Sequence, residues 1–146
     1  MNIAPLKRVI LDLLFPLSCL GCGQEGVWFC SSCRAGLKFL PPACFLCGWA
    51  GVLPRTPAGR TCVSCRDKTA LSCFLSPFSY GDKMPRELIH ALKYLRITPV
   101  APILAGLVRD YQAYYSLRFP SEALLIPVPL HPKKERVRGF NQSLLI

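Results

Sequence analysis

Eight of the nine cysteines in the sequence form four pairs, each with two residues between its members. The pairs are Cys19 with Cys22, Cys30 with Cys33, Cys44 with Cys47, and Cys62 with Cys65. One such pair can hold a metal ion from a single tight turn, and two pairs supply the four soft ligands of a tetrahedral zinc site. The spacing therefore predicts two zinc ions per chain, each bound by four of these eight cysteines.

The residues after the pairs indicate which pairs join. Glycine follows the first and third pairs, at Gly23 and Gly48, whereas arginine follows the second and fourth, at Arg34 and Arg66. A glycine in this position allows the backbone to turn back and direct amide groups at the sulfurs. This internal repeat predicts two consecutive zinc ribbons, with the first two pairs around one ion and the last two around the other. An interleaved arrangement, in which the first pair joins the third, is the alternative left open.

Two other interpretations of the cysteine pairs fit the rest of the sequence less well. A disulfide framework suits a secreted domain, which needs an export signal. The N-terminal segment resembles such a signal, but Asp12 and Pro16 interrupt its apolar run. A redox-active pair normally occurs singly beside a βαβ pattern. We therefore expect reduced thiols in a cytoplasmic protein, with the ninth cysteine, Cys73, as a small buried apolar side chain.

Lysine and arginine outnumber aspartate and glutamate by 18 to 8, which gives a formal net charge of +10. That value counts every cysteine as neutral, whereas four thiolates with one Zn²⁺ carry a net negative charge, so two sites leave about +6. The basic residues are spread along the chain, so they permit contact with nucleic acid or phosphates without locating a site. No apolar run is long enough to span a bilayer, and no transmembrane segment is predicted.

The sequence pattern divides the chain into three parts. Residues 1–18 predict a short amphipathic helix, with a membrane-surface role as the alternative. Residues 19–73 contain the two ribbons, and residues 74–146 change to an α/β pattern. Aromatic residues beside the cysteine pairs are expected to cover the ions, with stacking on nucleic-acid bases as the alternative. These residues are Trp28, Phe29, Phe45 and Trp49.

Two strands and two helices are predicted in the third part. The first strand spans 74–80, where aromatic residues alternate, and helices with apolar stripes begin near Pro85 and Pro99. Residues 124–128 form an unalternated apolar run, which is typical of a strand buried on both faces. Residues 133–138 follow with four cations and one anion, at the position where open α/β sheets bind ligands. A ligand loop and a solvated basic turn are the two interpretations of this run.

Four segments occur in an order that is specific to a known family. They are the Leu-Leu-Phe-Pro before the first cysteine pair, Leu-Ile-His-Ala-Leu-Lys-Tyr at residues 88–94, Pro-Val-Pro-Leu-His-Pro at 127–132 and Arg-Gly-Phe-Asn-Gln at 138–142. From about residue 9 onward, the sequence resembles the ComF family of bacterial proteins. The resemblance implies a small metal-bound double zinc ribbon ahead of a type I phosphoribosyltransferase-like α/β domain, of which this chain holds the incomplete N-terminal part. It also implies an association with DNA uptake in natural competence.

The resemblance further implies residues that would bind phosphates or lie beside the ligand. These are Lys93, Arg136, Arg138, Gly139, Phe140, Asn141 and Gln142. In the family, a later strand leads into two adjacent acidic residues and a Thr/Gly-rich turn, which cradles phosphoribosyl pyrophosphate. No two of the eight acidic residues before Ile146 are adjacent. We therefore expect a truncated domain that contains no catalytic residues and does not bind phosphoribosyl pyrophosphate appreciably.

The sequence leads to three functional hypotheses. The first is a ComF-like, competence-associated fragment whose zinc module and incomplete phosphoribosyltransferase-like domain bind a ligand but do not catalyse a reaction. The second is a free-standing basic zinc-ribbon module that binds single-stranded DNA or a competence helicase. Its contacts would be Trp28, Trp49, Arg55, Arg60 and Arg66. The third, phosphoribosyltransferase activity, requires completion of the domain by further residues.

Overall fold

The computed structural model describes residues 16–48 and 59–146. The helices in these two stretches are α1 (Ser31–Ala35), α2 (Lys83–Lys93), α3 (Val100–Tyr114), α4 (Pro132–Arg138) and α5 (Gln142–Leu145), with a 3₁₀ turn at Arg66–Lys68. The same stretches contain no β-strand, and none of their helices has the length and apolar character that crossing a membrane requires. Most of the helix predicted for residues 1–18 lies outside the described residues, as do Trp49 and Arg55.

Helices α2 and α3 form the core of the structure and confirm the two helices predicted from apolar spacing. Leu88 and Ala91 of α2 pack with Val100 and Leu107 of α3, and all four side chains are almost fully buried. Between the helices, the Ile97 amide donates to the Ala91 carbonyl at 3.1 Å. Burial of a leucine side chain contributes about 1.5–3 kcal/mol, so this cluster is a main source of the stability of the fold.

We use the name first ribbon for residues 19–40 and second ribbon for residues 43–65, and the first ribbon packs against the same core. Leu20, Phe29 and Leu37 are partly buried against the α2 and α3 cluster. Leu20 and Phe29 are immediate sequence neighbours of Cys19 and Cys30, so the turns that carry these thiols share apolar contacts with the helices. The first ribbon and the two long helices therefore form one packed unit.

The strand predicted at residues 74–80 is not formed. Phe78 instead packs against the helical core, with its ring centroid 5.3 Å from that of Phe39. Phe74 lies beside Phe45 of the second ribbon, at 5.9 Å between ring centroids. A strand needs a neighbour to pair its backbone, and the described residues offer only isolated bridges. The alternation of aromatic residues therefore reflects packing toward two different neighbours and not a β-ladder.

The prediction of a buried strand at residues 124–128 is also wrong. Leu125 and Ile126 are 92% and 75% exposed. The reason is that no strand within residues 16–48 and 59–146 lies on either side of this segment to cover it. One contact fixes its end, because Asn141 Nδ2 donates to the Val128 carbonyl at 3.1 Å.

The basic run at residues 133–138 belongs to helix α4 and is not a loop. His131 caps the start of this helix, since its ring Nδ1 accepts a hydrogen bond from the Lys133 amide at 3.2 Å. Gly139 ends the helix in the left-handed region, at φ 85°, and its amide donates to the Glu135 carbonyl at 2.7 Å. A helix fixes the relative positions of the cationic side chains, which a solvated turn would not do.

Candidate metal centres and a basic cleft

The eight paired cysteines form two compact groups of four thiols. The first cluster consists of Cys19, Cys22, Cys30 and Cys33, and the second of Cys44, Cys47, Cys62 and Cys65. Within each cluster, the four Sγ atoms all lie within 4.8 Å of one another. This is the consecutive grouping that the internal repeat predicts, and the interleaved grouping does not occur.

The separation of the sulfurs matches a tetrahedral metal site. The Sγ atoms of Cys22 and Cys30 are 3.6 Å apart, and those of Cys47 and Cys62 are 3.7 Å apart. Zinc–sulfur bonds of about 2.3 Å place the corners of a tetrahedron about 3.8 Å apart, whereas a disulfide bond is about 2.05 Å long. All of the described cysteines are free thiols. Each cluster could therefore hold a metal ion, and the four-thiol donor set is compatible with zinc.

The repeat in the sequence is also a repeat in backbone geometry. Gly23 and Gly48 have φ values of 79° and 70°, in the left-handed region that glycine adopts without strain. The Gly23 amide donates to the Cys19 carbonyl at 2.8 Å, and the Gly48 amide donates to the Cys44 carbonyl at 2.7 Å. In the other two pairs, the residue after the pair donates its amide to the carbonyl of the first cysteine, at 3.0 Å in both. The two candidate centres are therefore built from the same pair of turns.

In the first cluster, the surroundings favour one thiolate and one protonated thiol. Burial opposes ionisation of Cys19, yet hydrogen bonds from the Cys30, Cys22 and Gly21 amides lower its pKa to about 6. The Cys30 amide donates to Cys19 Sγ at 3.3 Å. Burial raises the pKa of Cys33 to about 12, and its hydrogen bond with the Cys30 thiol acts in the same direction.

The second cluster has the same electrostatic asymmetry. The amides of Cys62 and Cys47 lower the pKa of the Cys44 thiol to about 6. A hydrogen bond with the Cys62 side chain, together with burial, raises the pKa of Cys65 to about 12. Adjacent thiolates repel one another, so a full set of four forms only when a cation replaces the protons. Metal binding at either cluster therefore releases protons.

A cavity of about 420 Å³ lies between the end of α2 and helix α4, and we call it the basic cleft. Its lining residues are Lys93, Tyr94, Arg96, Lys133, Lys134, Val137 and Arg138. Five of these seven residues are cationic, and none is acidic. In the part of the chain that the structure describes, no carboxylate lies within 4.0 Å of the five cations. The basic cleft therefore has a positive electrostatic potential that attracts anions.

Hydrogen bonds and a cation–π contact fix the walls of the basic cleft. Arg96 has a left-handed backbone conformation, at φ 56°, and its Nη2 donates to the Val137 carbonyl of α4. The guanidinium carbon of Arg138 lies 5.6 Å from the centroid of the Tyr94 ring, within cation–π range. Arg138 Nη1 also donates to Gln142 Oε1 at 2.7 Å. Because all of these partners are neutral, they hold the two arginines in place without cancelling their charge.

Two of the residues predicted to bind phosphate, Lys93 and Arg138, line the basic cleft, whereas Arg136 does not. The other polar lining residues are Lys133 and Lys134, which belong to the predicted basic run, and Tyr94 and Arg96, which the sequence pattern does not identify as site residues. The density of cations in residues 133–138 is a signal for the two lysines. Nothing in the pattern around Arg96 indicates that its backbone is left-handed.

The segment Gly139–Gln142 connects elements and does not line the basic cleft. Gly139 ends α4, and Asn141 Oδ1 caps α5 by accepting a hydrogen bond from the Ser143 amide at 3.0 Å. Gln142 holds Arg138 through the side-chain bond described above, and Phe140 is half-buried. Within this segment, Gln142 therefore acts on the basic cleft only indirectly, by holding Arg138.

The second hypothesis places DNA on the ribbons, and three of its five contact residues lie in the described part of the chain. The structure shows local surroundings for each of them. Arg66 lies 3.9 Å from Asp67, and Arg60 pairs through its backbone with Cys73. Trp28 is half-buried. Cys73 is exposed, contrary to the expectation of burial, because this bridge holds it beside the second ribbon and outside the helical core.

Curated proteins from two bacteria are similar to this chain over most of its length. Over 123 residues, which is 80% of the chain, it is 31% identical to the competence protein ComFC of Bacillus subtilis (strain 168). Over 126 residues, again 80% of the chain, it is 29% identical to the DNA utilization protein YhgH of Salmonella typhi. These similarities support a ComF-like family. The chain spans about half the length of these relatives, 49% and 51% respectively. No protein-family model matches the chain, and no solved structure matches it.

Proposed function

We propose that this chain is a ComF-like, competence-associated protein that contributes to DNA uptake by binding and not by catalysis. One of the relatives above is named a competence protein and the other a DNA utilization protein. The observation that carries the proposal is the basic cleft, where five cations surround a cavity that no carboxylate lines. The proposal includes a cytoplasmic location, zinc ribbons in residues 19–73 and a partial phosphoribosyltransferase-like domain in residues 74–146.

We assign the two cysteine clusters to structural zinc. Four thiolates in a closed tetrahedron are a usual ligand set of structural zinc sites, whereas catalytic sites keep one position open. Zinc binding at structural sites contributes on the order of 10–16 kcal/mol of apparent free energy, which in a small module is folding energy. The ribbons would therefore depend on metal for their fold, and the chemistry of ligand binding would belong to the basic cleft.

Single-stranded DNA is the ligand class that fits the basic cleft best. Its phosphates would contact Lys133 and Lys134 on α4 and Lys93 at the end of α2, the three lysines that line the cleft. Tyr94 is 63% exposed beside these cations, and an exposed ring can stack on a base without sequence preference. Binding of this kind releases counterions from the strand, so we expect its affinity to fall steeply as salt is added.

The test uses the zinc-loaded full chain and a fluorescent single-stranded oligonucleotide. The double variant Lys133→Gln with Lys134→Gln removes two cations from the cleft, and we expect about tenfold weaker binding, or about 1.4 kcal/mol. The slope of log affinity against log salt should fall by about 1.4, because each phosphate contact on a single strand contributes about 0.7. The matched control, Lys38→Gln with Lys68→Gln, removes two exposed cations elsewhere and should leave both quantities almost unchanged.

Two results would contradict this assignment. Equal weakening by both double variants would mean that overall charge, and not the cleft, decides binding. A loss confined to a third double variant, Arg60→Gln with Arg66→Gln, would place the DNA on the ribbons and support the alternative hypothesis of a zinc-ribbon DNA-binding module.

A further inference from the structure

The two cysteine clusters have the same local turns but different surroundings. From this difference we infer that metal at the first cluster holds in place the helix that forms one wall of the basic cleft, whereas metal at the second cluster does not. The inference rests on the metal binding proposed above. Equivalent positions of the two repeats differ in what their side chains contact.

The residue after the first cysteine differs most clearly between the repeats. Leu20, after Cys19, packs against the core of α2 and α3. Its equivalent after Cys44 is Phe45, which is 37% exposed and lies beside Phe74, outside that core. The first cluster therefore contributes an apolar side chain to the helical core, and the second contributes its aromatic ring to a local contact.

The next position brings the first cluster into direct contact with α2. A Cβ atom at Gly21 would clash with the side chain of Met84 and would lie 2.8 Å from Cys33 Sγ. The backbone at Gly21 therefore packs closely against both the Cys33 thiol of its own cluster and the Met84 side chain in the first turn of α2. The equivalent residue in the second repeat is Leu46, which is 46% exposed.

The second pair of each repeat shows the same contrast. Phe29, before Cys30, packs against the helical core, whereas its equivalent Thr61 donates its hydroxyl to the Leu71 carbonyl at 2.6 Å. After the last cysteine of the first repeat, Arg34 forms an ion pair with Asp110 of α3. The equivalent arginine of the second repeat, Arg66, lies near its own neighbour Asp67, and both of these side chains are mostly exposed.

Helix α2 links the first cluster to the basic cleft. Its first turn carries Met84, its middle carries Leu88, and its last residue, Lys93, lines the cleft. Tyr94 and Arg96 follow directly and line the same cavity. A helix of 11 residues is marginal in water by itself, so α2 depends on the surfaces packed against it. Loss of metal from the first cluster would loosen one of those surfaces and with it a wall of the cleft.

A matched pair of variants tests the inference in the zinc-loaded full chain. Cys22→Ser and Cys47→Ser each remove one ligand, and both cysteines are exposed and precede a glycine with positive φ. Hydrogen exchange of the amides of α2 reports on the helix without any ligand of the cleft. We expect Cys22→Ser to accelerate this exchange by about tenfold or more, and Cys47→Ser to change it by less than about twofold. The oligonucleotide affinity should fall in the same order.

Each outcome of this experiment decides the question. If Cys22→Ser cannot be obtained folded while Cys47→Ser folds, the inference is supported in its strongest form. If the two variants accelerate exchange equally, or if neither does, the inference is wrong. If the wild-type chain binds two zinc ions but the two variants accelerate exchange equally, only this inference is contradicted. If the wild-type chain binds no zinc, the proposed zinc ribbons are contradicted as well.

Discussion

Arg34 Nε donates a hydrogen bond to Asp110 Oδ2 at 3.0 Å, although the two residues are 76 positions apart in sequence. The pair joins the residue after the first cysteine cluster to the C-terminal half of helix α3. Gly106, one turn before Asp110, makes room for the contact, since a Cβ atom there would lie 3.4 Å from the Arg34 guanidinium. Both charged side chains are partly exposed, at 42% and 44%, so the pair positions the ribbon more than it stabilises the fold.

A double-mutant cycle on this ion pair should give a small, salt-dependent coupling. We expect Arg34→Gln and Asp110→Asn to show a coupling free energy of about 0.3–1 kcal/mol in urea unfolding at low salt. Added salt should reduce it, because partly exposed charges are screened. The control cycle, Arg66→Gln with Asp67→Asn, concerns side chains that are 67% and 91% exposed and should give a coupling near zero. If the coupling free energy of Arg34 and Asp110 is no larger than that of the control cycle, the ion pair between Arg34 and Asp110 is contradicted.

Replacement of Gly23 by alanine should strain the first cysteine turn. The backbone at Gly23 has φ 79°, where a side chain costs about 1–2 kcal/mol, while no atom within 4 Å would obstruct the new methyl group. We expect the free energy of unfolding to fall by about that amount. Gly36→Ala is the matched control, because Gly36 ends α1 at φ −77° and its new Cβ would make ordinary contacts. Equal effects of the two substitutions would contradict the left-handed turn.

Truncation of a core leucine should affect stability far more than truncation of an exposed one. Leu88 of α2 is fully buried in the cluster that α3 and the first ribbon complete, so Leu88→Ala should lower the free energy of unfolding by about 2–5 kcal/mol. Leu125 is 92% exposed, and Leu125→Ala should change it by no more than about 0.5 kcal/mol. Urea unfolding at one fixed concentration of free zinc measures both. A large effect at Leu125 would mean that residues 124–128 are covered in solution.

Zinc binding should weaken as the pH falls. Cys33 and Cys65 have a pKa of about 12 in the metal-free clusters, so both are protonated at neutral pH and must lose a proton when zinc binds. Protons and zinc thus compete for the same sulfurs, and acidification favours the protons. Competition with a chromophoric chelator between about pH 8 and about pH 6 should show a continuous loss of affinity, and calorimetry in two buffers should detect proton release. Affinity that is independent of pH would contradict four-thiolate sites.

Short-range patterns in the sequence predict the parts of this structure that local geometry determines. The spacing of the paired cysteines predicts the turns of both clusters, because each turn closes within five residues, and Gly23 and Gly48 mark the two turns that end in the left-handed region. The stripe of apolar residues predicts α2 and α3 because helix periodicity is a property of a single segment.

Features that depend on distant residues are not predictable in the same way. The alternation at residues 74–80 suggests a strand only if another strand lies beside it, and the structure instead packs these rings on the helices and on the second ribbon. The basic cleft is a tertiary feature of the same kind, since Arg96 and Val137 meet across 41 positions of sequence. The density of cations near residue 133 indicates a basic surface on α4. It does not indicate the opposite wall of the basic cleft, which Lys93, Tyr94 and Arg96 form.

The central claim is that eight thiolates hold two zinc ions in each chain, and metal content measures it most directly. Native mass spectrometry of the full chain purified under reducing conditions should show two zinc ions per chain. The same sample, denatured with a chelator present, should show nine free thiols and no disulfide. A metal-free chain whose paired cysteines are joined as disulfides would contradict the claim.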